Sequence, residues 1–370
     1  MRAETAASVI GWDIGGAHVK ACLCIDGEVR DTLQCAAPLW QGLEALDAAI
    51  AQARARWPQF ATARHALTMT AEMTDLFDDR ATGVRELSAR LARLLGSQLH
   101  FYAGPGADAG QARWLSAPQA GAQWRAIASA NWLASADFIG RRIRNAILVD
   151  IGSTTTDLIP VVDGRPAPAG RSDAERLASG ELVYLGVVRT PLCALGAQVP
   201  FGGEHLNVMN EFFATTADVF RLSGELDAAH DQHPAADGGS KDEVASCRRL
   251  ARMIGHDLGD ADAAAWKALA MHWRGALLAE IGRNLARVRA RQPELDDATI
   301  IGAGCGRFLA AELAQRAGMP FQPFAALAKP AQLNDANDAG PDWIATCAPC
   351  VAVARLLATD ARSANAACRS

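Results

Sequence analysis

The chain lacks the features that would tie it to nucleic acid, a membrane or an oxidising compartment. Its 36 lysines and arginines are outnumbered by 41 aspartates and glutamates, a formal net charge of -5. Nucleic-acid binding needs the opposite, a clustered basic face that displaces counterions from phosphates. A small anionic ligand is still compatible with this charge, because local geometry can overrule the net value. No run of about 20 uncharged apolar residues exists to span a bilayer. The N-terminus enters a strand-like run without a basic stretch and a long apolar core, so no signal peptide is expected. The nine cysteines are scattered and odd in number, some of them inside apolar runs such as Ala21-Cys22-Leu23-Cys24-Ile25. That pattern suits reduced thiols rather than a disulfide framework, and the expected location is the cytoplasm.

What the chain does have is enough apolar material for two cores. It is 370 residues long, half of them hydrophobic and 21% charged, which predicts two lobes of roughly 150 to 200 residues each. Val9 to Ile14 and Val19 to Ile25 are short apolar runs joined by Gly15-Gly16 and read as a β-hairpin. Apolar residues at spacings of three and four predict helices over Leu43 to Trp57, Gly83 to Leu95 and Gly121 to Phe138. Ala66 to Thr70 and Leu99 to Ala103 look like strands set among them. Asn145 to Asp150 is a buried strand ending in a carboxylate, at which a second hairpin begins. Helices are expected over Ala264 to Arg291, Gly306 to Ala317 and Pro349 to Leu357, with a strand at Thr299 to Ile301. The class is α/β in both lobes, the first over residues 1–145 and the second over 146–345.

Residues 226–242 have little apolar content and read as an exposed, mobile insertion. Within it His230-x-x-His233 has no Cys or third His at ligand spacing, so a polar loop outweighs half a metal site. Cys347-x-x-Cys350 has no second pair to match it and reads as the start of a helix.

The strongest signal is an internal repeat. Asp13-Ile-Gly-Gly-Ala-His-Val-Lys20 through Asp26-Gly27 aligns without a gap on Asp150-Ile-Gly-Ser-Thr-Thr-Thr-Asp157 through Asp163-Gly164. Both copies run apolar strand, Asp-Ile-Gly, small or polar turn, apolar strand, Asp-Gly. Gly15, Gly16 and Gly152 leave room for backbone N–H groups to face an anion as a nest for phosphate oxygens. Asp13 and Asp150, at strand ends, can hold hydrated Mg²⁺, which bridges carboxylates to phosphates. Ser153, Thr154 and Thr155 add hydroxyl donors, Lys20 adds a point charge, and His18 lies in the first turn within reach of phosphate. The bland reading is that Gly-Gly and Asp-Gly only make turns; a gapless recurrence with Asp before Ile-Gly argues against it. Thr299-Ile-Ile-Gly302-Ala-Gly304-Cys-Gly306 then reads as strand, Gly-rich turn and helix start, a wall for a nucleotide or another ligand.

Hairpin, connecting helix, second hairpin and distal Gly-rich turn together resemble the actin, sugar kinase and heat-shock ATPase superfamily over essentially the whole chain. The resemblance implies two ribonuclease-H-like lobes, an actin-like ATPase fold, with phosphates and Mg²⁺ between the hairpins in a central cleft. It also makes Ala348 to Ala354 the last helix, back on the first lobe. A closer resemblance, to the hydantoinase and oxoprolinase-like branch, lies in Thr70-Ala-Glu72-Met-Thr-Asp75, Gly180-Glu-Leu-Val-Tyr184-Leu-Gly-Val-Val-Arg189-Thr-Pro191 and Phe213-Ala-Thr-Thr-Ala-Asp218. Within that branch the chain is most similar to proteins linked to tetrahydromethanopterin-dependent one-carbon metabolism. They include an aryl-ether synthase group that joins a furan-methyl diphosphate to a phenol in methanofuran synthesis. No Asp-Gly-Gly acceptor-base loop lies between the hairpins, which weakens a kinase reading. The Ala- and Arg-rich composition suggests a high-GC bacterium, for which the analogous product would be methylofuran.

That resemblance implies Mg²⁺ as the cofactor, with ATP as the weaker alternative, and small-molecule partners: a diphosphate ester and a phenolic amine derived from tyramine or tyrosine. Self-association is left open. If the reaction releases diphosphate, Asp157 after the Thr-rich turn is the first candidate for base or Mg²⁺ ligand, with Glu72 the second. Arg189 could clamp the diphosphate, as could Lys241, Arg248 or Arg249 if the insertion closed over it. The competing functions are an ATP-dependent kinase or hydantoinase-type hydrolase and a nucleotide-sensing protein without turnover.

Overall fold

The computed structural model describes residues 7–106, 111–328 and 340–367. The chain divides into two compact units, one made of residues 1–148, 159–167 and 322–370 and the other of 149–158 and 168–321.

In the first unit, β1 (Ser8–Ile14), β2 (His18–Ile25), β3 (Glu28–Ala36), β4 (Arg64–Met69), β5 (Leu99–Pro105) and β6 (Ala112–Leu115) form one sheet in the order β3-β2-β1-β4-β5-β6. β1 runs antiparallel to β2, with Asp13 opposite Lys20, and parallel to β4, with Asp13 beside Thr68. β1 is buried on both faces, which is why it is a nearly continuous apolar run. Helices α1 (Glu44–Arg56) and α2 (Arg80–Leu95) supply Leu46, Ile50, Val84 and Leu87 to a core shared with Trp12, Ile14 and Phe101. The Asp79 side chain caps α2 by accepting from Thr82 N at 2.7 Å. The helix expected over Gly121 to Phe138 is three pieces, α3 (Ala117–Ala122), α4 (Trp124–Ile127) and α5 (Asn131–Gly140). The break before α5 carries Ser129 at φ 50, a left-handed residue that no helix continues through.

The second sheet has the order β10-β8-β7-β13-β14, with β9 on β8. It is built from β7 (Ala146–Ile151), β8 (Thr156–Val162), β9 (Arg165–Pro166), β10 (Leu182–Val183), β13 (Thr299–Ala303) and β14 (Phe321–Pro323), and α6 (Asp173–Ser179) precedes β10. The sequence repeat is therefore a repeat of topology: in each sheet a hairpin is followed by a later strand that docks on its first member. Even the closing turns match. Asp26 and Gly27 stand at φ 51 and 76, Asp163 and Gly164 at φ 49 and 75, the doubly left-handed turn that Asp-Gly favours.

The second unit adds a small hairpin, β11 (Gln198–Phe201) with β12 (Glu204–Asn207). It also adds α7 (Thr216–Ser223), α8 (Glu243–Met253), the long α9 (Ala263–Arg289) and α10 (Arg307–Ala317), with Val219, Leu250, Trp266 and Trp273 among the residues of a second core. Residues 226–242, expected to be an exposed and mobile insertion, are exposed at 227–229, 237–240 and 242 but are held by ion pairs. Asp231 is buried and takes Arg221 at 2.7 Å and Lys241 at 3.2 Å, while Asp237 takes Arg249 at 3.0 Å. The polar composition that suggested a solvated loop belongs to an ion-pair network around the buried Asp218. Lys241 and the wholly buried Arg249 are thus committed within the second unit and cannot serve as a clamp, while Arg248 is exposed.

The chain then returns to the first unit through α11 (Phe324–Ala328), α12 (Pro341–Thr346) and α13 (Ala348–Ala367). α13 lies on β1 at Gly11, where a Cβ would run into the carbonyl of Cys350 and the side chain of Ala354.

Candidate functional site

In the first unit the turn between β1 and β2 closes through Gly15 N donating to His18 O at 3.0 Å. Neither Gly15 nor Gly16 has a positive φ. Glycine is needed here for closeness: a Cβ on Gly15 would lie 2.9 Å from His18 O, and one on Gly16 would lie 2.9 Å from the Thr74 methyl. Asp13 and His18 are both buried beside this turn. Lys20 is placed differently from its expected phosphate contact, because Nζ donates to the carbonyl of Thr346 at 2.9 Å. An ammonium is satisfied readily by a helix C-terminal carbonyl, and α12 ends at Thr346.

In the second unit the matching turn closes through Gly152 N donating to Thr155 O at 2.8 Å. Two further segments converge on it. In the first, Gly186 presses on the turn so closely that a Cβ there would lie 2.5 Å from Thr154 N. Val187 N donates to Gly152 O at 3.0 Å, and Arg189 N to Ser153 O at 2.8 Å. Arg189 Nη1 then reaches Thr154 Oγ1 at 3.3 Å. Partial burial draws the Arg189 guanidinium below its usual value. In the second segment, Gly304, at φ 81, packs against β7, where a Cβ would strike the Ile151 carbonyl and approach Asp150 Oδ1 to 2.6 Å. Asp150, Gly152, Ser153, Thr154, Arg189 and Gly304 are therefore one local cluster within the second unit. Gly302 is set apart from it, against the Phe321 ring.

Sequence reasoning missed what fastens the Gly186 segment. Thr190 Oγ1 accepts from Gly186 N at 2.8 Å, and Thr216 Oγ1 donates to Gly186 O at 2.8 Å. The Thr-Pro and Ala-Thr-Thr motifs held those threonines in view, but nothing in their spacing pairs them with a glycine.

The two candidate bases, Asp157 and Glu72, are both buried. Asp157, on β8 opposite Leu182, forms an ion pair with Arg176 of α6. Burial pushes its carboxyl above the usual range, against the pull of Arg176. Asp157 is a strand residue with a buried guanidinium beside it, and not open after the Thr-rich turn. Glu72 is 1% exposed, and its Oε1 accepts from Ser129 N at 2.7 Å and Ser129 Oγ at 3.0 Å. Cys347 and Cys350 are buried free thiols at the start of α13, with Cys350 Sγ donating to Cys347 O at 3.1 Å. Among the described residues no three or more His, Cys, Asp or Glu gather as a metal cluster, His230 and His233 included. No described helix is long and apolar enough to cross a membrane.

With the hairpins, the Gly-rich turn and the Arg189 segment in place, the fold class is an α/β actin-like one of two lobes. A nucleotide-free structure of acetone carboxylase superposes with a TM-score of 0.51 at 11% identity, covering 85% of this chain and 68% of that one. The chain belongs to the hydantoinase/oxoprolinase family, whose model matches residues 64–323. Over 247 residues it is 29% identical to the (4-{4-[2-(gamma-L-glutamylamino)ethyl]phenoxymethyl}furan-2-yl)methanamine synthase of Methanocaldococcus jannaschii, covering 66% of this chain and 71% of that protein. To the protein of the same name from Methanococcus vannielii it is 34% identical over 170 residues, covering 46% and 76% respectively.

Proposed function

We propose that this protein is a transferase that makes an aryl ether in the biosynthesis of a methylofuran-type cofactor. It joins a furan-methyl diphosphate to the phenol of a tyramine- or tyrosine-derived substrate. The bond from the methyl carbon to the diphosphate oxygen breaks, the bond from the phenol oxygen to that carbon forms, and diphosphate departs. The phenolic proton passes to a carboxylate of the protein. The observation that carries this reading is the placement of Arg189 on Thr154, in a chain whose relatives are named for a product containing a phenoxymethyl-furan ether.

In this reading Arg189, Ser153 and Thr154 hold the diphosphate, a guanidinium fork and two hydroxyls being suited to phosphate oxygens. Asp150 and Asp13 are the candidate Mg²⁺ ligands of the two units. Single carboxylates at strand ends, without a larger acidic cluster, fit an ion that keeps its waters and takes its remaining ligands from phosphate. The chemistry that bound Mg²⁺ supplies is neutralisation of the charge on the departing diphosphate. Asp157 is spent on Arg176, so Glu72 carries the role of base in the proposal. The hydrogen bonds from Ser129 to its Oε1 fix that carboxylate in orientation.

The test is to incubate the purified protein with Mg²⁺, a furan-methyl diphosphate and tyramine or tyrosine derivatives, following ether and diphosphate by mass spectrometry. Ether and diphosphate in equal amounts are expected. ATP hydrolysis without any ether would replace this reading with the hydrolase or kinase one.

A further inference from the structure

The first unit holds a cavity of about 400 Å³ that shares no lining residue with the hairpins. Arg141 and Arg142, just past the end of α5, line it together with Leu327 of α11 and Arg355, Leu356 and Thr359 of α13. Three guanidinium groups on one small cavity are costly to assemble unless something anionic offsets them.

Their partners account for only one of the three. Arg141 has two carboxylates: Nη1 pairs with Asp360 at 2.8 Å, and Nε meets Asp137 at 3.5 Å. Asp360 also accepts from Ala112 N and Trp114 Nε1. The Arg141 side chain is only 10% exposed, and its Nη2 is buried with no hydrogen-bond partner among the described residues. Arg142 lies over the Phe138 ring, 3.7 Å from its centroid, and donates to the Phe138 carbonyl. Neither Arg142 nor Arg355 forms an ion pair with a carboxylate among the described residues. Arg142 is exposed as a whole residue, yet its pKa is pushed down to about 10 by loss of water around the guanidinium, and then by the positive charges of Arg355 and Arg141.

We infer that this cavity is a binding site for an organic phosphate monoester with a small apolar body. Two guanidinium groups without carboxylates match the charge of roughly -1.5 to -2 that a phosphate monoester carries near pH 7. The guanidinium fork matches its oxygens better than an ammonium would. Leu327 and Leu356 suit the apolar body, and the volume lies in the range of small-ligand pockets. The inference does not rest on the proposed ether-forming reaction, since no residue of that site takes part.

The experiment is isothermal titration of the full chain with phenyl phosphate, inorganic phosphate and benzyl alcohol. Saturable binding of phenyl phosphate is expected, weakened at least tenfold in Arg355→Gln and in Arg142→Gln. If Arg142→Gln fails to fold by circular dichroism, Arg355→Gln with Arg355→Lys as its conservative partner carries the test. Undiminished binding in Arg355→Gln, loss of binding in Arg189→Ala, or no saturable binding overturns the site. Inorganic phosphate binding as tightly as phenyl phosphate overturns the apolar half of the assignment.

Discussion

Arg176 holds Asp157 in an ion pair whose guanidinium is 2% exposed, joining α6 to the second hairpin strand. A buried pair is weak evidence for net stability, and Arg176 keeps a second buried carboxylate, Asp173, at 3.7 Å. Asp157→Asn removes one of its two partners and should destabilise the protein by about 1.5–3 kcal/mol in urea unfolding. Arg176→Met, which strands both carboxylates, should cost more. A variant Asp157→Asn that unfolds like the native chain yet loses turnover would return Asp157 to the chemistry.

Arg189 ties the Thr-Pro segment to the second hairpin turn. Its backbone is fixed on Ser153 and its side chain on Thr154. Arg189→Ala should lower kcat/KM for the diphosphate substrate by about 10²–10³-fold, with a change in stability of about 0.5 kcal/mol or less. Arg189→Lys should recover only part of the rate, since it keeps the charge but loses the planar fork. Steady-state kinetics alongside thermal unfolding separates the two effects.

Local periodicity and turn chemistry make the hairpins legible in the sequence. Short apolar runs bounded by Gly-Gly and Asp-Gly are properties of a few adjacent residues. What was not legible is the set of partners supplied from far along the chain. The ammonium of Lys20 goes to Thr346, 326 residues away. Asp157 meets Arg176 across a loop and a helix, and Asp218, Asp231 and Asp237 draw in Arg221, Lys241 and Arg249 to order a stretch whose composition alone reads as loop. Ser129, with its positive φ, breaks a helical pattern that amphipathic spacing had run straight through.

The Gly-rich turn after β13 offers a paired test. Gly304 combines φ 81 with a Cβ position that strikes the Ile151 backbone, and backbone cannot step aside. Gly302 faces mainly the edge of Phe321 at 2.6 Å, a partly exposed ring that can move, with Ala310 Cβ farther off at 3.3 Å. Gly304→Ala should cost more than about 2 kcal/mol, from left-handed strain of about 1–2 kcal/mol plus the clash. Gly302→Ala should cost less. Equal unfolding midpoints would show that the turn yields at Gly304 after all.

His65 sets an acid limit on the first unit. Trp12 Nε1 donates to His65 Nδ1 at 3.1 Å, which keeps that nitrogen an acceptor. Burial lowers the imidazole from its ordinary 6.5 to about 4. A depressed histidine contributes stability that is present above the unfolded value and lost as pH falls through the folded one. Between pH 6.5 and about 4 the loss should approach about 3 kcal/mol. Urea midpoints across that window should fall accordingly, and the His65 ring should stay neutral by NMR at pH 5.5. An imidazolium signal at that pH contradicts the assignment.

Glu72 decides whether a buried carboxylate on the first unit takes part in the reaction. Glutamine in its place can still accept from Ser129 N and Ser129 Oγ through its carbonyl, so Glu72→Gln removes the charge while keeping the hydrogen bonds. If Glu72 receives the phenolic proton, kcat should fall by about 10²–10⁴-fold with an unchanged unfolding midpoint. The acidic limb of the pH–rate profile should disappear with it, because the group whose ionisation that limb reports is gone. A more acidic phenol such as a fluorinated tyramine should regain part of the rate, since it needs less help to lose its proton. A merely structural Glu72 moves neither the profile nor the response to phenol acidity, whatever it does to the overall rate.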